Sequence, residues 1–271
     1  MAISPCPNDT FIFGNWIEGH LNELEASIHS ELSCQFMDIQ ELNQEASKQK
    51  FDIIKVSSAH ALQLLEHYQI LRCGAAMGLN CGPLLIGKSE ILESQIEDYE
   101  IVLPGIQTTA SFLFEYCYPG LNKKRYQVFS EIENEVLKND QTLGVIIHEN
   151  RFTYQNKGLV CIKDLGKHWV DHTGMPIPLG LIMVKRRLPE IDKYHIKSQI
   201  TLSLKKAMHS DKSIWSFIKK HATEMDDQVI KDHIQLYVNE LSLDFGLIGE
   251  LAILKLFELS GKNKIPSDLF I

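Results

Sequence analysis

The stretch "FDIIKVSSAHALQLLEHY", residues 51–68, sets the pattern for the chain. Its first seven residues, 51–57, set Phe51, Ile53, Ile54 and Val56 among polar ones, short and rich in branched side chains as a strand is. Ser57 and Ser58 then bring hydroxyls suited to the orphan N–H groups of a first helical turn, so the spacing predicts a helix over 59–68. The same alternation recurs along the chain. Strands are expected at 34–39, 100–105, 143–149 and 159–164, and helices at 40–49, 108–118 and 130–139. Pro119-Gly120 stops the helix that begins at Thr108. Strand and helix in alternation define an α/β protein with mainly parallel sheets.

From Asp192 to Ser260 the pattern is helical throughout. Val229, Ile230, Ile234, Tyr237, Val238 and Leu241 fall on one helical face, as do Leu247, Leu251 and Leu254, and Gly261 is placed to end the last helix. No flexible tether is visible, so the apolar runs 82–88 and 178–185 are left to join any two domains. The expected architecture is a discontinuous outer α/β domain, 1–86 and 182–271, with an inserted α/β domain at 87–181 and a ligand cleft between them.

Composition narrows the partners. With 27 basic and 35 acidic residues in 271, the net charge is −8, which argues against nucleic acid or an anionic membrane surface. No run approaches the ~18 apolar residues of a membrane helix, and no basic segment followed by an apolar core opens the chain. Six cysteines are scattered without a CxxC pair, and the eleven histidines contain no HExxH. A cytoplasmic protein without metal or cofactor is expected.

Ligands in open α/β sheets bind where strands end and helices begin. Three such junctions carry suitable groups. Lys55, Val56, Ser57 and Ser58 form the first, either an ordinary helix cap or an anion cradle. At the second, Gly105 frees the backbone and Thr108, Thr109 and Ala110 open a helix; the same two readings apply. The third is His148, which follows an apolar strand and precedes Glu149, Asn150 and Arg151. A histidine there suits proton transfer near neutral pH, although a structural histidine would fit the same pattern. The opening run "SPCPNDTF", 4–11, adds a rigid turn in which Asn8, Asp9 and Thr10 are expected to cap a helix and line the cleft. Cys6, with no basic neighbour in sequence, is expected to be packed rather than reactive.

Those runs carry a resemblance. "SPCPNDTF" (4–11), "PGIQTTASF" (104–112), "GVIIHENRFTY" (144–154), "LGKHWVDHTGMPIPLG" (165–180) and "YVNELSLDFG" (237–246) resemble the 1,4-dihydroxy-6-naphthoate synthase family, from menaquinone biosynthesis by the futalosine pathway. The likeness runs essentially end to end. It implies the two-domain fold of type 2 periplasmic binding proteins and a carbon–carbon lyase. The implied reaction converts cyclic dehypoxanthinyl futalosine, a small anionic substrate, to 1,4-dihydroxy-6-naphthoate and dihydroxyacetone. By the same resemblance His148 is the proton acceptor, and Lys55, Val56, Ser57, Thr109 and Ala110 contact substrate, with Thr108 adjacent. Arg151 and Ser58 are further candidates for the cleft wall. One departure is that only three residues precede Ser4, where the family has a fuller first strand. Chorismate dehydratase of the same pathway and a non-catalytic small-anion binding protein are the alternative readings.

Overall fold

The strand part of the 51–68 run lies at the centre of the first of two five-stranded sheets. In this computed structural model the described residues are 1–21, 32–210, 212, 214–223, 226–261 and 265–271. In chain order the strands are β1 (Ala2–Ile3), β2 (Gln35–Phe36), β3 (Ile53–Ser57), β4 (Tyr68–Gly78), β5 (Leu84–Gly87), β6 (Glu100–Leu103), β7 (Lys124–Tyr126), β8 (Thr142–Ile146), β9 (Val160–Asp164) and β10 (Ile177–Lys185). The α-helices are α1 (Pro7–Ile17), α2 (Ile39–Ser47), α3 (Ser58–Ala61), α4 (Thr109–Cys117), α5 (Ile132–Lys138), α6 (Asn150–Thr153), α7 (Leu165–Thr173), α8 (Glu190–His209), α9 (Trp215–His221), α10 (Asp227–Tyr237), α11 (Glu240–Leu243) and α12 (Gly246–Leu259).

Residues 1–78 and 178–271 form one unit and 79–177 the other. The sequence alone sets these divisions at 86/87 and 181/182, but β5 is hydrogen-bonded into the second sheet from Leu84 onward. In the first unit the strand order is β2-β1-β3-β10-β4, and in the second β7-β6-β8-β5-β9. Parallel pairs join β1 to β2 and β3, and β6 to β7 and β8. The sheets are nevertheless mixed, because β10 runs antiparallel to β3, and β5 antiparallel to β8 and β9. Parallel neighbours need a crossover within their own sheet. Neither β5 nor β10 has one, since each follows directly on a division of the chain.

All five residues of β3 are buried, as an interior strand covered on both faces requires. Helix α1 packs its Ile12 and Phe13 with Ile3, Ile182, Ile200 and Leu204. Ser203 of α8 secures it by donating to the Ile12 carbonyl at 2.7 Å. The core of the second unit gathers Ile86, Val102, Ile132, Val136 and Ile146.

Several local expectations change. The helix predicted over 59–68 is a single turn, α3, and the chain re-enters the first sheet as the eleven-residue β4. Tertiary pairing overrides the helical pattern there: the Ile70 and Arg72 amides bond the carbonyls of Leu269 and Ile271, and the Tyr68 hydroxyl bonds the Phe51 carbonyl. The strand expected at 34–39 shrinks to two residues because Asp38 caps α2, accepting from the Gln40 amide at 2.8 Å. Helix α1 starts at Pro7 with Cys6 as N-cap, so Asn8, Asp9 and Thr10 form its first turn rather than its cap.

In the last third, Val238 ends α10 and Leu241 belongs to α11. Helix α12 buries Gly249, Ala252, Ile253, Leu256 and Phe257 and leaves Leu247 and Leu251 exposed; Gly249 makes room for the Phe245 side chain, which a Cβ there would meet at 2.4 Å. Gly261 follows it at φ 78°, the left-handed turn expected of it. Residues 211, 213, 224 and 225 of the expected helical third lie outside the described residues.

Two glycines determine how β5 and α7 meet. A Cβ on Gly82 would lie 2.2 Å from the Gly166 Cα, inside any permissible contact. Gly82→Ala is therefore expected to destabilise the second unit by about 1–3 kcal/mol through overpacking. A thermal midpoint matching the parent protein would show that the backbones separate freely.

Candidate active site

In the first unit the end of β3 and the first turn of α1 meet through a buried charge pair. Lys55 Nζ lies 2.5 Å from Asp9 Oδ1, with both side chains almost fully buried. Asp9 Oδ2 accepts from the Ser4 amide at 3.2 Å and the Ser4 hydroxyl at 2.7 Å. Asn8 Nδ2 donates to Asp9 Oδ1 at 2.9 Å, which turns Asn8 Oδ1 toward His233 Nε2 at 3.0 Å. An amide oxygen can only accept, so Nε2 of His233 carries the proton. Lys55 has room for its stem because Gly180, paired with Ser57 on β10, carries no side chain; a Cβ there would lie 2.8 Å from Lys55 Cε.

The remaining groups of this junction are also buried. Val56 is inside the sheet, and Ser57 is held by Asn43 through two hydrogen bonds, at 2.8 and 2.9 Å. The Ser58 hydroxyl is buried with no hydrogen-bond partner among the described residues. Thr10 turns its hydroxyl back onto the Cys6 and Pro7 carbonyls, at 3.1 and 3.2 Å, so it serves its own helix.

In the second unit, two loops leave the carboxyl ends of the neighbouring parallel strands β6 and β8. After β6, Gly105 adopts φ 148°. Thr108 caps α4, accepting from the Ser111 amide at 3.1 Å while its hydroxyl donates to the Gly105 carbonyl at 2.8 Å. That hydroxyl is therefore committed. Thr109 and Ala110 occupy the first turn of α4, where backbone N–H groups have no intrahelical acceptor.

After β8, His148 stands at φ 56°, left-handed for a residue with a Cβ. Its half-buried ring meets Phe129 edge-on, with centroids 4.9 Å apart. The side chains two and three residues on, Asn150 and Arg151, anchor it. Asn150 donates to the buried carboxylate of Glu133 on α5, which also pairs with Lys157 at 2.7 Å. Arg151 reaches the Gly82 carbonyl and, at 2.9 Å, Asp164 at the end of β9. A backbone conformation costing of order 1–2 kcal/mol persists where surrounding contacts over-determine it.

The structure thus gathers Asn8, Asp9 and Lys55 into one cluster beside Val56, Ser57 and Ser58. In the second sheet it sets Thr108, Thr109 and Ala110, and likewise His148 and Arg151, at adjacent strand ends. Sequence reading missed Ser4, Asn43, Glu133 and His233. For His233 a signal existed, since it falls three residues after Ile230 and four before Tyr237, both buried on α10. Cys6 is buried at the α1 cap. Burial pushes the Cys73 and Cys81 thiols up to about 12, so neither is a ready nucleophile at neutral pH. No group of three or more His, Cys, Asp or Glu among the described residues is placed to hold a metal ion.

The architecture is shared with solved proteins. An Archaeoglobus fulgidus protein matches with a TM-score of 0.89 at 26% identity, covering 96% of this chain and 95% of that one. The ligand-binding component of a Staphylococcus aureus ABC-type import system matches with a TM-score of 0.71 at 13% identity, covering 100% and 94%. The fold is that of the periplasmic binding proteins. Within it, the family model described as menaquinone biosynthesis matches residues 1–262, and the chain belongs to that family. A 1,4-dihydroxy-6-naphthoate synthase of Streptomyces coelicolor is 34% identical over 258 residues, 93% of this chain and 89% of that one. One from Thermus thermophilus is 34% identical over 257 residues, 95% and 92%.

Removing one member of a buried ion pair leaves the other charge uncompensated, at a cost of about 3–5 kcal/mol. Asp9→Ala should lower stability by that order, while the double variant Asp9→Asn with Lys55→Met should recover much of it. Urea denaturation of the three proteins checks this; equal losses in both variants would assign the effect to packing instead.

Proposed function

We propose that this chain is a 1,4-dihydroxy-6-naphthoate synthase, converting cyclic dehypoxanthinyl futalosine to 1,4-dihydroxy-6-naphthoate with release of dihydroxyacetone. The observation that carries the reading is His148, held after β8, the strand paired with the one that leads to α4, in a chain similar over nearly its whole length to two such synthases. In this reading His148 accepts a proton from the substrate, and a retro-aldol-type cleavage of a carbon–carbon bond follows. The electron pair released moves into an enolate, and aromatisation of the ring draws the reaction forward.

A positioned general base contributes about 10²–10⁴-fold. The first-turn N–H groups of α4, with Thr109 and Ala110, are oriented as donors for a carboxylate or for developing negative charge. Thr108 supports them as the cap. In the first unit Lys55, Val56 and Ser57 contact substrate in this reading, with Lys55 neutralised by Asp9 and acting through its place in the strand. In this reading Asn8, Asp9, Thr10 and Ser58 flank the contacts of the first unit, and Arg151 flanks those of the second. No helix among the described residues is long and apolar enough to cross a membrane. Free, scattered cysteines support a cytoplasmic setting and a small anionic substrate met there.

Turnover of the purified protein with cyclic dehypoxanthinyl futalosine, followed by product chromatography, tests the reading. Chorismate offered in parallel tests dehydratase activity. Product from the first substrate alone is expected; tight binding without product from either would mark a binding protein. Asparagine tolerates positive φ better than most residues and cannot act as a base near neutral pH, so His148→Asn isolates the proton transfer. It should keep the fold and most of the affinity while losing about 10²–10⁴-fold in kcat. Near-parental kcat would remove His148 from the mechanism.

A further inference from the structure

The Ser57 hydroxyl is withheld from the role its position would ordinarily give it. Ser57 is the N-cap of α3, with the extended backbone of a cap at φ −62° and ψ 136°, yet its side chain makes no capping bond. A serine there normally accepts from an amide of the first turn. Asn43 holds it instead. This asparagine lies on α2, on the buried face shared with Leu42 and Ala46, and is itself 0% exposed.

Which way the Asn43 amide points follows from chemistry. The Ser57 backbone N–H, at 2.8 Å, can only donate, so the atom it meets is Oδ1. The other end of the amide, 2.9 Å from Ser57 Oγ, is then Nδ2, and it can only donate. Ser57 Oγ therefore accepts from Asn43, and its own hydrogen must be given elsewhere. No acceptor for it occurs among the described residues, and Ser57 is 2% exposed. A buried hydroxyl hydrogen without an acceptor carries a desolvation cost that an oxygen ligand removes.

We propose that Asn43 is a positioning residue that fixes the direction of the Ser57 hydroxyl, making Ser57 an obligate donor to a carboxylate or other oxygen acceptor of the substrate. The proposal rests on the reading that Ser57 contacts substrate. It deepens that reading by assigning the direction of the bond and the residue that enforces it.

Asn43→Asp tests the idea with almost no change in shape. One carboxylate oxygen still accepts the Ser57 amide, but the other now accepts the Ser57 hydroxyl and turns its hydrogen away from the substrate. KM for cyclic dehypoxanthinyl futalosine should rise about 10–100-fold, the loss expected for a hydrogen bond to a charged group, with kcat changing less. Ser57→Ala should raise KM similarly. Combining the two should add nothing further, because the hydroxyl that Asn43 directs is already gone. Asn43→Ser, uncharged and smaller, repeats the cycle should the buried aspartate prevent folding, which circular dichroism would reveal.

A KM unchanged in both Asn43 variants, against a raised KM in Ser57→Ala, would overturn the positioning role. Full additivity with Ser57→Ala would do the same, since a purely structural role persists without the hydroxyl. An unchanged KM in Ser57→Ala itself would instead overturn the reading that Ser57 binds substrate, and the inference would fall with it.

Discussion

The ion pair between Asp9 and Lys55 is the constraint on which the first unit is organised. Burying two charges is costly, and their attraction offsets that cost only with good geometry and every remaining valence satisfied. The chain meets both conditions. Ser4 supplies two donors to Asp9, Asn8 a third, and Gly180 gives up a side chain so that Lys55 can lie flat across β10. The prolines at 5 and 7 hold the intervening turn, so the third residue of α1 can reach back to the residue two before its cap. The opening octapeptide is thus a device for presenting one carboxylate to one ammonium at the end of β3.

The second unit solves a related problem without burying an ion pair at the strand end. Its two loops emerge from parallel neighbours, so their geometry follows from strand register rather than from a charge. What fixes them is hydrogen bonding: Thr108 and Ser111 both donate to the Gly105 carbonyl, at 2.8 and 2.6 Å, which closes the turn before α4. Around His148 the anchors come from outside the loop altogether. The first unit therefore relies on one fully buried ion pair, whereas the second combines hydrogen bonds after β6 with the partly exposed Arg151–Asp164 pair after β8.

Much of this was legible in the sequence because it depends on local pattern. The strands β3, β6, β8 and β9 are short branched runs, and α4 carries its own cap and stop signal. Ser57, Thr109 and His148 could be set at strand ends for the same reason. Residues 62–68 could not be read correctly, since Leu62, Leu64 and Leu65 among Gln63, Glu66 and His67 suit a helix, and only the partners of Tyr68 and the strand after it end the helix early. Those partners include the C-terminus, whose Leu269 and Ile271 carbonyls bond β4. Helix α12 misleads in another way: Leu247, Leu251 and Leu254 mark one face, but the buried face carries Gly249, Ala252, Ile253, Leu256 and Phe257. Asn43, Glu133 and His233 escaped because each is a polar residue buried among apolar ones. Only their partners, Ser57, Asn150 and Asn8, show why they are there.

The Arg151 guanidinium has a consequence for how the second unit assembles. Its planar fork grips a carbonyl 69 residues earlier in the chain and a carboxylate 13 residues later, and the same Asp164 caps α7 by accepting from the Lys167 amide. None of these partners lies within the 144–154 run that contains the histidine. The left-handed turn at His148 is thus a product of chain closure over long separations, which is entropically expensive and comes only with the finished sheet. A peptide bearing the motif would carry the residues without the geometry. The histidine acquires its orientation only when three distant parts of the chain have met.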